Sequence, residues 1–117
     1  MQVLLVDDSP IFRYVARSLL ERRGYEVVGE AAGSMLALGR AEELRPAAAL
    51  VDVRLPDGSG FDLASELKRR LPRIAVVLMS TEDDGTCHAW AEACGARGFV
   101  LKSHLAACDL SRFWPER

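Results

Sequence analysis

The sequence predicts an α/β fold: one five-stranded parallel sheet, strand order 2-1-3-4-5, with helices on both faces. Five short runs rich in apolar residues alternate with segments whose apolar positions repeat at helical spacing. The runs at 3–6, 48–52 and 74–79 are apolar at almost every position, so they need cover on both sides, as parallel strands have. Connections of a few residues and right-handed crossovers leave few other topologies. No linker, repeat or low-complexity segment interrupts the pattern, and residues 1–117 read as one domain.

Val3-Leu4-Leu5-Val6 forms the first strand and stops on Asp7-Asp8. Ser9-Pro10 then supplies an N-cap with proline in the first helical turn. Phe12, Val15, Ala16 and Leu19 mark the buried stripe of that helix, and Gly24 ends it. Residues 26–30 are less apolar and form a strand nearer the sheet edge. A weaker helix spans 34–44, carries Gly39 at a cost of up to ~1 kcal/mol, and is stopped by Arg45-Pro46. The third strand runs from Ala48 to Asp52 and turns at Pro56. Ser59 or Gly60 opens the third helix, buried along Leu63, Ala64, Leu67 and Leu71, with Pro72 closing it.

The run 74–79 is the longest and reads as a central strand ending at Ser80-Thr81. A helix from about 84 to 93 places Cys87, Trp90, Ala91 and Cys94 along one face, read as core. The fifth strand, 97–101, ends at Lys102. A short last helix within 106–114 packs through Leu110, Phe113 and Trp114.

Half of the 117 residues are hydrophobic and 27% charged, enough for a core without disulfide staples. A net charge of −2 gives no basic surface for direct nucleic-acid binding. No run approaches the ~18 apolar residues of a membrane span. The N-terminus lacks a basic segment followed by an apolar one, and a cytoplasmic location is predicted. Cys87, Cys94 and Cys108 cannot all pair and form no CxxC, which fits reduced thiols. His88 and His104 have no ligand spacing and read as exposed.

In the predicted order the carboxyl ends of strands 1, 3, 4 and 5 share one rim. That rim gathers Asp7, Asp8, Asp52, Ser80, Thr81 and Lys102. Alone, Asp7-Asp8 would be a helix N-terminal turn, Lys102 a solvated charge and Ser80 a turn residue; their convergence is what carries information. Three carboxylates so close repel one another. A bound Mg²⁺ relieves that repulsion and keeps positions open for phosphate oxygens. A carboxylate beside Mg²⁺ can attack phosphorus and form an acyl phosphate. In this reading Asp8 holds the metal with Asp7 in support, Asp52 attacks, and Lys102 and Ser80 bind the transferred phosphoryl oxygens.

The chain resembles, end to end, the receiver domain of two-component response regulators, which has a flavodoxin-like fold. The family's paired acids after strand 1 match Asp7-Asp8, and its phosphoacceptor with a following xxLPxxxG matches Asp52, Leu55, Pro56 and Gly60. Its switch hydroxyl matches Ser80, which stands 22 residues before the matching lysine, Lys102. Its aromatic switch, three residues before that lysine, falls on Phe99. The resemblance implies phosphorylation of Asp52 by a histidine kinase or phosphotransfer protein, with Ser80 and Phe99 carrying the conformational change. It implies that Asp7, Asp8 and Asp52 hold the metal together with the backbone carbonyl of Arg54, and that Arg54 and Glu82 tune hydrolysis of the acyl phosphate. Beyond its own phosphotransfer and slow dephosphorylation the chain is not expected to be an enzyme.

Ser103 stands where the family has proline, often after a cis bond, and the final helix looks short. A trans bond is expected there, since a cis bond before a non-proline residue costs ~2.5–4 kcal/mol. Both departures touch the helix 4–strand 5–helix 5 face, through which many receivers dimerise or bind targets. A stand-alone regulator is expected, on the finish Phe113-Trp114-Pro115, over the receiver part of a longer DNA-binding regulator. A small Mg²⁺-dependent aspartyl phosphohydrolase needs an acid two residues past its nucleophile, where Arg54 stands. A flavin- or nucleotide-binding protein needs a glycine-rich loop after strand 1, where Asp7-Asp8-Ser9-Pro10 stands.

Overall fold

The apolar runs pair into a single sheet because neither face of such strands tolerates water. In a computed structural model, which describes residues 1–114, the strands are β1 (Gln2–Val6), β2 (Glu26–Ala31), β3 (Ala48–Asp52), β4 (Ala75–Ser80) and β5 (Gly98–Leu101). They lie in the order β2-β1-β3-β4-β5, and every neighbouring pair is parallel. β3 and β4 are buried along their whole length, whereas the edge strand β2 is not. The helices are α1 (Pro10–Arg22), α2 (Ser34–Leu44), α3 (Gly60–Arg70) and α4 (Cys87–Ala93).

Alternate side chains along each strand point to opposite faces, and two cores result. Leu4, Val6, Ala49, Val51, Val76, Leu78 and Phe99 join Ala37 and Ala41 of α2, Leu63, Ala64 and Leu67 of α3, and Cys87 and Ala91 of α4. Val3, Leu5, Ala48, Leu50, Ala75, Val77 and Val100 join Ala16 and Leu20 of α1 with Leu105, Leu110 and Trp114. The predicted doubly covered parallel sheet is thus what the chain forms.

Local capping fixes where the helices start. Ser9 Oγ accepts from Phe12 N at 3.2 Å, and Ser59 Oγ accepts from Phe61 N at 3.0 Å. α2 has no cap of its own, because Gly33 precedes it. The Asp57 carboxylate does that work across 23 residues of sequence, accepting from Ser34 N at 2.7 Å and Met35 N at 3.0 Å. Those N–H donors hold the Asp57 carboxyl below its ordinary value.

Three expectations about α1 and α4 need correction. The buried arc of α1 runs through Phe12, Ala16, Leu19 and Leu20; Val15 falls at its solvent margin, 54% exposed beside Ile11 and Tyr14. α4 begins at Cys87, not near 84, because Asp83 accepts from Gly85 N and Asp84 from Thr86 N, turns that compete with helix. Trp90 is not core but 58% exposed. So short a helix meets the sheet through Cys87 and Ala91, one turn apart, which leaves Trp90 on its flank. Finally, Arg54–Leu55 and Gly58–Ser59 form a small antiparallel hairpin that no local pattern announces.

No α-helix follows β5 among the described residues. Two 3₁₀ segments, Lys102–Ala107 and Leu110–Arg112, stand where a last helix was predicted. The Asp109 carboxylate accepts from both the N–H and the hydroxyl of Ser111, a local bond that breaks the run. Carbonyls freed in this way find Arg23 at the end of α1, which donates to Cys108 O at 2.6 Å and also to Ala106 O. The predicted packing residues nevertheless go inward. Leu110 and Trp114 are buried, and Trp114 meets Tyr25 edge-on at 5.1 Å. Phe113 lies against Gly98, where a Cβ would stand 2.4 Å from its ring. Among the described residues no peptide bond is cis, Lys102–Ser103 included. Pro115, the end of the predicted finish, lies outside the described residues.

Candidate functional site

Parallel strands deliver their carboxyl ends to one edge, and here that edge is polar. Asp52 and Ser80 are the last residues of β3 and β4, Asp7 follows β1, and Lys102 follows β5. Asp7, Asp52 and Ser80 are the three buried polar side chains of the fold among the described residues, while Asp8 is exposed. Carboxylate oxygens of Asp7, Asp8 and Asp52 all lie within 4.8 Å of one another.

Lys102 joins two of the acids. Its Nζ stands 3.0 Å from Asp52 Oδ2 and 2.6 Å from Asp7 Oδ2. The face of the Phe12 ring lies under it, with the centroid 4.5 Å away. The other carboxylate oxygens meet backbone: Asp52 Oδ1 accepts from Arg54 N at 3.0 Å, and Asp7 Oδ1 from Ser9 N at 2.8 Å. Burial pushes the Asp52 carboxyl above its ordinary value, against the Arg54 N–H and the Lys102 ammonium. For Lys102 burial acts downward, but its close contacts with the Asp7 and Asp52 carboxylates outweigh it and hold the ammonium above its ordinary value.

These residues fit a divalent cation. Three carboxyl groups face a single ammonium here, an excess of acidic oxygens over cationic partners. Asp7 Oδ2 is buried, and Lys102 contacts it without a well-directed hydrogen bond. Asp8 makes no hydrogen bond among the described residues, so its oxygens are available as ligands. All of these donors are hard oxygens, the set that Mg²⁺ or Ca²⁺ takes.

The remaining predicted residues surround this cluster. Ser80 Oγ accepts from Glu82 N at 3.3 Å. Arg54 and Glu82 are both exposed and line one small cleft with Ser80 and Val53. Phe99 is 5% exposed, turned inward, with the His88 ring edge-on to it at 5.4 Å. His88 and His104 are themselves exposed, as predicted. Where a last helix was expected, a cleft of about 600 Å³ runs along β5 between α4 and the 3₁₀ segments, lined by His88, Phe99, His104 and Phe113.

Two contacts to the site were not foreseen. Phe12 reads in sequence as one more apolar stripe residue, and nothing local says that its ring faces Lys102. Arg13 donates to the carbonyl of Asp7 at 2.5 Å and pairs with Glu30 at 3.0 Å, pinning the acidic turn to the edge strand. A basic residue on a helix carries no signal of either partner.

The sequence profile of the response regulator receiver domain matches residues 3–108. The chain belongs to the response regulator receiver family. Among its relatives, the DNA-binding transcriptional activator DevR/DosR of Mycobacterium tuberculosis is 35% identical over 116 residues. That match covers 96% of this chain and 52% of the relative, so the receiver spans about half of that protein. The chemotaxis protein CheY of Thermotoga maritima is 29% identical over 101 residues, covering 86% of this chain and 84% of the relative. Among solved structures, the signal receiver domain of the NarL regulator of Mycobacterium tuberculosis superposes with a TM-score of 0.83 at 33% identity, covering 91% of this chain and 86% of that one. This receiver is accordingly a phosphorylation-controlled signalling module of two-component systems, a family that works with histidine kinases or phosphotransfer proteins. None of its helices among the described residues is long and apolar enough to cross a membrane.

Proposed function

We propose that the receiver accepts a phosphoryl group on Asp52 from a phosphohistidine of a partner kinase or phosphotransfer protein. The observation that carries this is the Lys102 ammonium held on Asp52 and Asp7 at the mouth of the sheet. A carboxylate oxygen of Asp52 attacks phosphorus as the donor's P–N bond breaks, and the departing imidazole takes up a proton. Lys102 moves from the carboxylate to the phosphoryl oxygens, and Ser80 donates its hydroxyl to another. Asp7, Asp8 and Asp52, with the carbonyl of Arg54, would hold Mg²⁺, which when bound neutralises charge on the transferring group. Arg54 and Glu82, exposed on either side of the opening, set how readily water reaches the acyl phosphate, which the receiver itself hydrolyses slowly. Arg54 in place of an acid two residues past Asp52 argues against a dedicated phosphohydrolase.

The switch is a bias rather than a lock. A neutral hydrogen bond from Ser80 nets ~1 kcal/mol and a charged one from Lys102 ~1.5–3. Their sum, about 2.5–4 kcal/mol, falls short of the ~5.5 that moves a population from 1:99 to 99:1. A partner or self-association on the face of α4, β5 and the 3₁₀ segments, where Phe99 lies under His88, completes the shift.

Incubation with acetyl phosphate or phosphoramidate and Mg²⁺, followed by intact-mass measurement, tests the reading. One added phosphoryl group is expected, absent without Mg²⁺ and absent in Asp52→Ala. Retention of the group by Asp52→Ala would refute the assignment.

A further inference from the structure

Trp90 is the largest exposed ring in the structure, and it does not stand alone. Its ring lies 6.1 Å from that of Phe61, tilted by 41°, across the gap between α3 and α4. Beneath the two rings runs a groove of about 370 Å³ whose floor includes Ala93 and Cys94. The same two rings also line a second hollow, of about 270 Å³, together with Val53, Arg54 and Ser80. Through Ser80, the last residue of β4, that second hollow borders the rim that carries Asp52.

Its border is acidic. Asp62, Glu82, Asp83 and Asp84 line the two hollows, all exposed, against Arg54 as the one basic group among the lining residues. The Gly85 N–H at Asp83 and the Thr86 hydroxyl at Asp84 hold those two carboxyls below their ordinary range, so both stay charged at neutral pH. The larger cleft along β5 differs in kind, since Arg97 and Arg112 there offset Asp83 and Glu92. An exposed tryptophan over an apolar trough is the usual form of an interface anchor, and a border of one sign selects a partner of the other.

We propose that the α3–α4 groove docks a basic amphipathic helix of a partner protein, whose apolar side chain enters between Phe61 and Trp90 while lysine or arginine meets Asp83, Asp84 and Glu82. This rests on the proposed function only in that the partner sits beside Asp52, where a phosphoryl group adds negative charge to the same border and tightens the contact.

The probe is a synthetic 14-residue peptide of leucine and lysine, with leucine at i, i+3, i+4 and i+7, and a glutamate-for-lysine counterpart. Trp90 fluorescence is followed in a Trp114→Phe background. The lysine peptide is expected to blue-shift and saturate the emission, the glutamate peptide to leave it unchanged. By anisotropy of a labelled peptide, Trp90→Ala should weaken binding at least tenfold, Asp83→Lys/Asp84→Lys comparably, and rising salt progressively. Equal binding of both peptides, or unchanged affinity in Trp90→Ala, overturns the proposal. So does a concentration-dependent dimer that Trp90→Ala abolishes, which would assign the groove to a second copy of the chain. The same variants are phosphorylated in parallel: normal gain of a phosphoryl group with no peptide binding refutes the groove and leaves the Asp52 assignment standing.

Discussion

A Cβ placed on Gly60 would stand 2.1 Å from the carbonyl oxygen of Asp52, closer than any two such atoms can sit. The first residue of α3 is thus packed on the backbone of the residue that ends β3, and its own N–H donates to Val53 O at 2.7 Å. The contact joins the helix to the site with no side chain between.

Gly60→Ala must push α3 and the Asp52 backbone apart. Overpacking of this kind costs about 1–3 kcal/mol or more, and backbone on both sides leaves nothing flexible to yield. Urea denaturation is expected to show that loss. Phosphorylation of the still-folded fraction should slow as well, because the carboxylate shifts relative to Lys102.

Burial holds the Asp52 carboxyl above its ordinary value of 3.8, so its ionised form costs stability at pH values above its folded pKa. Below 3.8 the group is protonated in both folded and unfolded chains and the cost is gone. Asp52→Asn should therefore melt at a higher temperature than wild type at pH 7 without Mg²⁺, with the gain shrinking as pH falls toward 4. A calorimetric pH series checks the sign; a gain that grows on acidification would contradict it.

Mg²⁺ should raise the melting temperature, by the equivalent of about 2.7 kcal/mol at a concentration a hundredfold above its dissociation constant. A chelator should reverse the rise. Asp8→Asn, which changes an exposed carboxylate with no partner of its own, should abolish it while leaving metal-free stability within about 0.5 kcal/mol.

Arg23 donates from the end of α1 to two carbonyls of the 3₁₀ region. Arg23→Ala should release that segment, with faster amide exchange over residues 102–114 and a stability loss of about 1–2 kcal/mol. Exchange in β3 and β4 should change only as far as global stability does.

The strands, their order and the convergence of Asp7, Asp8, Asp52, Ser80 and Lys102 are legible in the amino-acid sequence alone. A parallel sheet is specified by runs of apolar residues and by short connections, and both are local. Once the strands are parallel, whatever ends them must meet at one edge, so residues up to 95 positions apart in the chain fall together without any contact having to be foreseen. Ser9 is read as a cap for the same reason, and Ser59 is one of the two residues read as opening α3, since each cap acts within three residues of itself.

Tertiary structure alone decides the rest. Asp57 caps α2, Arg23 replaces the support that a full last helix would give, Phe12 lies under Lys102, and Trp90 stands out beside Phe61. Each depends on distance between elements, on how far a short helix reaches over the sheet, or on which stray donor a freed carbonyl finds. A hydrophobic stripe shows that Cys87, Trp90 and Ala91 share a side of α4; it does not show that seven residues bury only the smaller two. For Asp52 the chain itself names the carboxylate at the end of a buried strand. The fold then supplies its surroundings, the Lys102 ammonium at 3.0 Å and the burial that raises the free energy of its charge.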